Sequence, residues 1–178
     1  MVYFLLADGF EESEAIVPFD ILKRAGLECT LAHVGMRSEV TGSHGLKVKT
    51  DISVKEVRPD RADAIILPGG MPGAKNLDSD RTVDKLIKEA YDMGILIGAI
   101  CAAPLVLGKR RLLSGKKAVC YPGYEKYLED AEILDERVVR DGNIITAKGA
   151  GAAFEFGYAL AAHLKDVKTA EKIMASVY

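Results

Sequence analysis

No stretch of this chain is apolar for long enough to cross a bilayer, which argues against a membrane-spanning protein. Neither sign of charge dominates. The 24 Lys and Arg against 26 Asp and Glu leave a net charge of −2, so no polybasic footprint points to nucleic acid or an anionic membrane surface. The N-terminal Met1–Asp8 has no basic segment and meets an acid too early for a secretory signal, so a cytoplasmic location is expected. Cysteine is scarce and odd in number, three in all and without metal-type spacing, which suits a reducing compartment better than a disulfide scaffold. The three histidines, His33, His44 and His163, stand far apart, and no metal is expected. Repeats and low-complexity tracts are also missing.

What is present is an alternation of short apolar runs and amphipathic stretches through 178 residues, 49% of them hydrophobic. A single domain over residues 1–178 is expected, large enough to bury roughly 70% of its unfolded surface. The pattern predicts strands at 2–7, 27–34, 62–67, 94–100, 117–120 and 144–147, and a hairpin of 39–41 with 46–50 around Gly42–Gly45. Helices are predicted over 13–25, 81–93, the segment after Cys101, 152–164 and 167–176. Strands alternating with helices imply a doubly wound, mostly parallel sheet covered on both faces. In such α/β folds ligands bind beyond the carboxyl ends of the strands. Three segments fall there: Asp8–Glu14, Pro68–Gly73 and Cys101–Ala102.

The uncharged run Gly94–Ile100 stops at Cys101, and Ala102-Ala103-Pro104 then opens a helical pattern. A thiol at a strand-to-helix handover meets free N–H groups and a helix dipole, both of which favour the nucleophilic thiolate. Set against this, free cysteines are among the most buried residues and an arbitrary one is core filler. Cys29 and Cys120, each in a short strand pattern, are read as such filler.

Pro68-Gly69-Gly70 is either a tight turn or a concavity whose N–H groups hold an oxyanion. It lacks the Walker ending and the spacing of a dinucleotide fingerprint. Glu11 and Glu12 read as helix-start acids. Glu14, followed by Ala15-Ile16-Val17, is either a further helix-start acid or an inward-facing carboxyl, which burial would hold protonated beside a thiolate.

Taken in order, Gly9-Phe10-Glu11-Glu12-Ser13-Glu14, Leu67–Gly70, Ala99–Pro104 and Gly149–Phe156 resemble the ThiJ/PfpI superfamily, and within it the DJ-one branch of parkinsonism-associated deglycases. The resemblance implies a flavodoxin-like α/β sandwich, usually a homodimer. It also implies Cys101 as nucleophile, Glu14 as its carboxyl partner, and an oxyanion site at the glycine loop, Gly69 and Gly70, with Ala102.

Two departures narrow the reading. Ala102 stands where protease-like members have a histidine directly after the cysteine, and without that base a peptidase is disfavoured. Tyr121 stands where animal members have a histidine before Pro122, and a phenol is a poor base near neutrality. A Cys101–Glu14 pair remains. It suits a cofactor-independent glyoxalase or deglycase acting on 2-oxoaldehydes such as methylglyoxal, or on glycated adducts, by hemithioacetal formation and proton shuttling. The competing expectation is an oxidative-stress sensor or chaperone whose Cys101 becomes a sulfinate. His44 and Arg24 are read as a solvated turn residue and a helix-end cation, and Glu155 as a polar position on an apolar helix. His163 is read as a surface or capping residue.

Overall fold

The computed structural model describes residues 1–177. Strands β1 (Val2–Leu6), β2 (Cys29–His33), β3 (Glu39–Thr41), β4 (Lys47–Lys49), β5 (Ile52–Ser53), β6 (Ala64–Leu67) and β7 (Leu96–Ile100) precede the cysteine. After it come β8 (Lys117–Ala118), β9 (Glu132–Ile133), β10 (Val138–Asp141) and β11 (Ile144–Ala147). The helices are α1 (Glu12–Arg24), α2 (Gly73–Ser79), α3 (Arg81–Asp92), α4 (Pro104–Gly108), α5 (Ala153–Leu164) and α6 (Val167–Val177).

Seven strands form one sheet in the order β10-β11-β7-β6-β1-β2-β5. All neighbours are parallel except β10 and β11. Apart from the short edge strands β5 and β10, this is the flavodoxin-like order, and its direction reverses between β1 and β6. Strand alternation divides the core. Val2, Phe4, Ala64, Ile66 and Ile145 pack with Phe156, Leu160 and Ile21 of the α1, α5 and α6 layer. Tyr3, Leu5, Ile65, Leu67 and Ile97 pack with Leu77, Val83 and Ile87 of the α2 and α3 layer. Phe4, Leu5, Ile65, Ile66 and Leu67 are fully buried, and each such side chain contributes about 1.5–3 kcal/mol of transfer free energy. This buried wedge fixes where the strand ends lie.

The predicted elements are found, with three differences. The strand expected over 117–120 is only Lys117–Ala118, pairs with β9 in a separate ribbon, and hangs on β11 through Val119 N–H donating to Thr146 Oγ1 at 3.0 Å. The helix after Cys101 is five residues long. Helix α2, the edge strands β5 and β10, and the short β9 were not predicted. α2 lies in a Gly- and Pro-rich stretch, β5 is two residues long, and β10 carries Arg140 and Asp141, which hide its pattern.

Candidate active site

The C-terminal ends of β1, β6 and β7 converge at the point where the strand order reverses, and there the predicted residues meet. Cys101 follows β7 with φ +64°, a left-handed backbone that costs a non-glycine residue about 1–2 kcal/mol. Both of its peptide groups are held. Its N–H donates to the Ala147 carbonyl at 2.9 Å, and its own carbonyl accepts from Tyr121 N–H at 2.8 Å.

Glu14, in the first turn of α1, has no solvent exposure. Gly69 N–H donates to its Oε2 at 2.9 Å, while Oε1 is buried without a hydrogen-bond partner among the described residues. The Gly69 N–H is thus directed at the carboxyl. A Cβ at Gly69 would lie 2.6 Å from Glu14 Oε2 and 2.7 Å from Cys101 Cβ, so glycine is what lets acid and thiol approach. Gly70 has φ +84°, and a Cβ there would collide with the backbone of Glu11. Its N–H and that of Ala102 both act on the Cys101 sulfur.

The proton balance of the pair follows from burial. Burial raises the Glu14 pKa from 4.5 to about 7; the Cys101 side chain and Gly69 N–H oppose the rise, and the Glu11 charge adds to it. Burial, then the charge and hydrogen bonding of Glu14, push the Cys101 thiol up to about 12, against the N–H groups of Gly70 and Ala102. This departs from the acidic thiol expected at a helix start, because burial and the Glu14 carboxylate outweigh the N–H groups there. A proton on Glu14 removes that part of the rise which the carboxylate causes: a neutral carboxyl neither repels the thiolate nor competes for its proton. The two therefore titrate as one unit.

The mouth is lined by Tyr121, which is 50% exposed, and by the small-residue turn Gly149–Ala152. A Cβ at Gly149 would lie 3.2 Å from the Tyr121 ring and 4.0 Å from Cys101 Sγ. An open pocket of about 360 Å³ extends from there past Pro122, Arg137 and Lys148. Tyr121 stands out in the sequence, whereas Arg137, just before β10, and Lys148, just after β11, are brought to this pocket by topology alone.

The histidines serve elsewhere. His33 Nδ1 bonds Thr50 Oγ1 at 2.8 Å, and His163 lies in the last turn of α5. His44 joins Glu11 and Glu12, with the three ligand-type atoms within 4.8 Å of one another. The bonds there hold a turn: Glu12 accepts from His44 N–H at 2.7 Å and from the Ser43 hydroxyl at 3.1 Å, and it lies 2.9 Å from His44 Nδ1. Burial raises the Glu12 pKa, but the His44 ring and these N–H and O–H donors outweigh it and hold the group at about 2. Glu12 is thus more than a helix-start acid. Arg24 pairs with Asp20 at 2.6 Å, and Glu155 with Arg137 at 2.7 Å.

A left-handed cysteine beside the switch point of a doubly wound sheet, with a buried carboxyl behind it, defines the class: a flavodoxin-like α/β protein with a cysteine elbow. The chain belongs to the DJ-1/PfpI family, whose model matches residues 1–163. It is 36% identical to Protein dj-1beta of Drosophila melanogaster over 95% of this chain and 91% of the relative. It is 34% identical to a deglycase of Pyrococcus abyssi over 84% of this chain and 90% of that protein. The solved structure of oxidized Toxoplasma gondii DJ-1 superposes with a TM-score of 0.94 at 35% identity, covering 99% of this chain and 96% of that one.

Proposed function

We propose that the protein is a cofactor-independent glyoxalase or deglycase in which Cys101 is the nucleophile and Glu14 the acid and base. One observation carries the reading: a fully buried carboxyl, its pKa raised to about 7, set against a thiol on a strained elbow. A group poised there both gives and takes a proton near neutrality. The thiolate adds to the aldehyde carbon of methylglyoxal, and the oxygen takes up a proton to give a hemithioacetal. Ionised Glu14 then removes the hydrogen from that carbon and returns it to the adjacent one through an enediol. A lactoyl thioester results, which water cleaves to lactate and free thiol. Each oxyanion is stabilised by the N–H groups of Gly70 and Ala102, while Gly69 orients the acid. Early glycation adducts enter the same sequence, and the deglycase name of the Pyrococcus relative supports including them.

The test is lactate formation from methylglyoxal without glutathione. Wild type turns over, and Cys101→Ser and Glu14→Gln each lose at least about 10²-fold in kcat/KM. Substrate loss without lactate, or a Glu14→Gln variant of full activity, defeats the mechanism.

The oxidized Toxoplasma relative favours a second reading, in which two equivalents of peroxide convert the Cys101 thiol to a sulfinic acid and release two waters. Rapid gain of two oxygens at Cys101 under peroxide, with no lactate, would establish it. The reading also takes the protein to be a cytoplasmic homodimer. Three free thiols support the reducing compartment, and no helix among the described residues is long and apolar enough to cross a membrane.

A further inference from the structure

Beyond Gly70 the loop runs through Met71, which is 46% exposed and borders a second pocket of about 410 Å³. Lys75, Lys109 and Lys126 surround that pocket, Tyr124 and Tyr127 form an aromatic wall, and no carboxylate lines it. Lys109 and Lys126 stand 5.4 and 5.2 Å from the centre of the Tyr127 ring. Lys109 is also paired with Asp78 at 2.5 Å, whereas Lys75 and Lys126 make no ion pair among the described residues. The nearest acid in sequence, Glu125, accepts from Gly123 N–H at 2.8 Å and lines the neighbouring pocket beside Cys120. The cations at the Cys101 mouth differ, since Arg137 and Lys148 are bonded to Glu155 and Asp135.

Lys75 and Lys126 carry no acid partner and Lys109 shares one, so the pocket lining is net cationic, and an anion there takes charge-assisted hydrogen bonds from the ammonium groups. A phosphate dianion, with three oxygens, fits such a set of point charges. The volume lies in the range of small-molecule sites.

The pocket is joined to the thiol through Tyr124. Its ring meets Tyr121 edge-on with centroids 6.4 Å apart, and Tyr121 N–H holds the Cys101 carbonyl. Burial first, then the charge at Cys101, raises the Tyr124 phenol. On the other side the link is covalent, because Met71 follows the Gly70 whose N–H acts on the sulfur. We infer that Lys75, Lys109 and Lys126 with Tyr124 and Tyr127 form a subsite for the phosphate of the molecule processed at Cys101. Phosphorylated small carbonyl compounds, or adducts carrying a phosphate, are then the preferred substrates over uncharged methylglyoxal. The substrate assignment rests on the aldehyde reading above; the binding site does not.

The probe is glycerol 3-phosphate, with glycerol as the uncharged control at constant ionic strength. Binding is read by calorimetry and by the rate at which iodoacetamide alkylates Cys101. Wild type is expected to bind the phosphate saturably, with alkylation slowed at least threefold, while glycerol does neither. Lys75→Gln/Lys126→Gln, both at exposed positions, binds at least tenfold more weakly; Lys85→Gln on the outer face of α3 binds as wild type. No saturable binding, equal affinity in the double variant, or binding that leaves alkylation unchanged overturns the subsite. Lysine-dependent binding that shields Cys101 in a protein that makes no lactate from methylglyoxal upholds the subsite and defeats the aldehyde reading instead.

Discussion

Glu14 binds its proton more tightly folded than unfolded, and this makes a stability prediction independent of turnover. Its folded pKa of about 7 lies above its ordinary 4.5, so between those values the native state holds more protons than the unfolded chain. Stability due to this group is therefore complete below about pH 4.5 and is lost as pH rises through about 7. Glu14→Gln keeps an oxygen for Gly69 N–H and has nothing to ionise. Denaturant unfolding at pH 4.5 and pH 8 should show the variant gaining on wild type by up to about 3 kcal/mol at the higher pH. Parallel curves would mean that the carboxyl ionises freely. At this scale the two residues stood out only as candidates from their settings, a thiol ending an uncharged run and an acid followed by apolar residues at a helix start, and their pairing came from the family resemblance. The thiol's proton affinity was not legible. It depends on the burial of the thiol and on how closely Gly69 lets Glu14 approach.

At the scale of elements, the main strands and helices were legible from periodicity, because each buried strand is apolar on both faces and each helix shows one polar side. Elements held by tertiary bonds were not. The β3–β4 hairpin was foreseen from Gly42–Gly45, but its tether was missed, since Glu12 lies 32 residues from His44. Glu12 caps the turn as a backbone acceptor for His44 and, at 3.4 Å, for Leu46. Glu12→Ala leaves these N–H groups without their acceptor and is expected to cost about 1–3 kcal/mol at neutral pH. Amide exchange at residues 42–46 should quicken while β1 and β6 keep their protection. Because the folded pKa of about 2 lies below the ordinary 4.5, the tether's contribution is present above pH 4.5 and is lost as pH falls through 2. The difference between Glu12→Ala and wild type therefore narrows in acid. A variant equal to wild type at pH 7 would show that the tether is dispensable.

At the scale of the whole molecule, the same tether joins a helix and a hairpin turn that each carry an exposed apolar side chain. Ile16, one helical turn beyond Glu12, is 44% exposed, and Leu46, whose N–H Glu12 accepts, is 46% exposed. Each strand and helix layer already buries its own apolar face, so these residues are surplus to the core of one chain. Apolar surface on a rigid helix–hairpin junction is what a two-fold contact uses, because one patch meets its own copy. A homodimer built on this patch, as proposed above, has a specific sensitivity. Light scattering on wild type should give about twice the 19.2 kDa chain mass, and Ile16→Lys, which sets like charges against each other across the two-fold, should give the single chain with unchanged circular dichroism. Met93→Lys, another exposed apolar position at 55% but beyond the end of α3, should leave the mass doubled. A wild type of single-chain mass would refute the dimer, and a doubled mass that survives Ile16→Lys would place the assembly surface elsewhere. Since α1 also carries Glu14, a monomeric variant that still makes lactate would show that each chain holds a complete site.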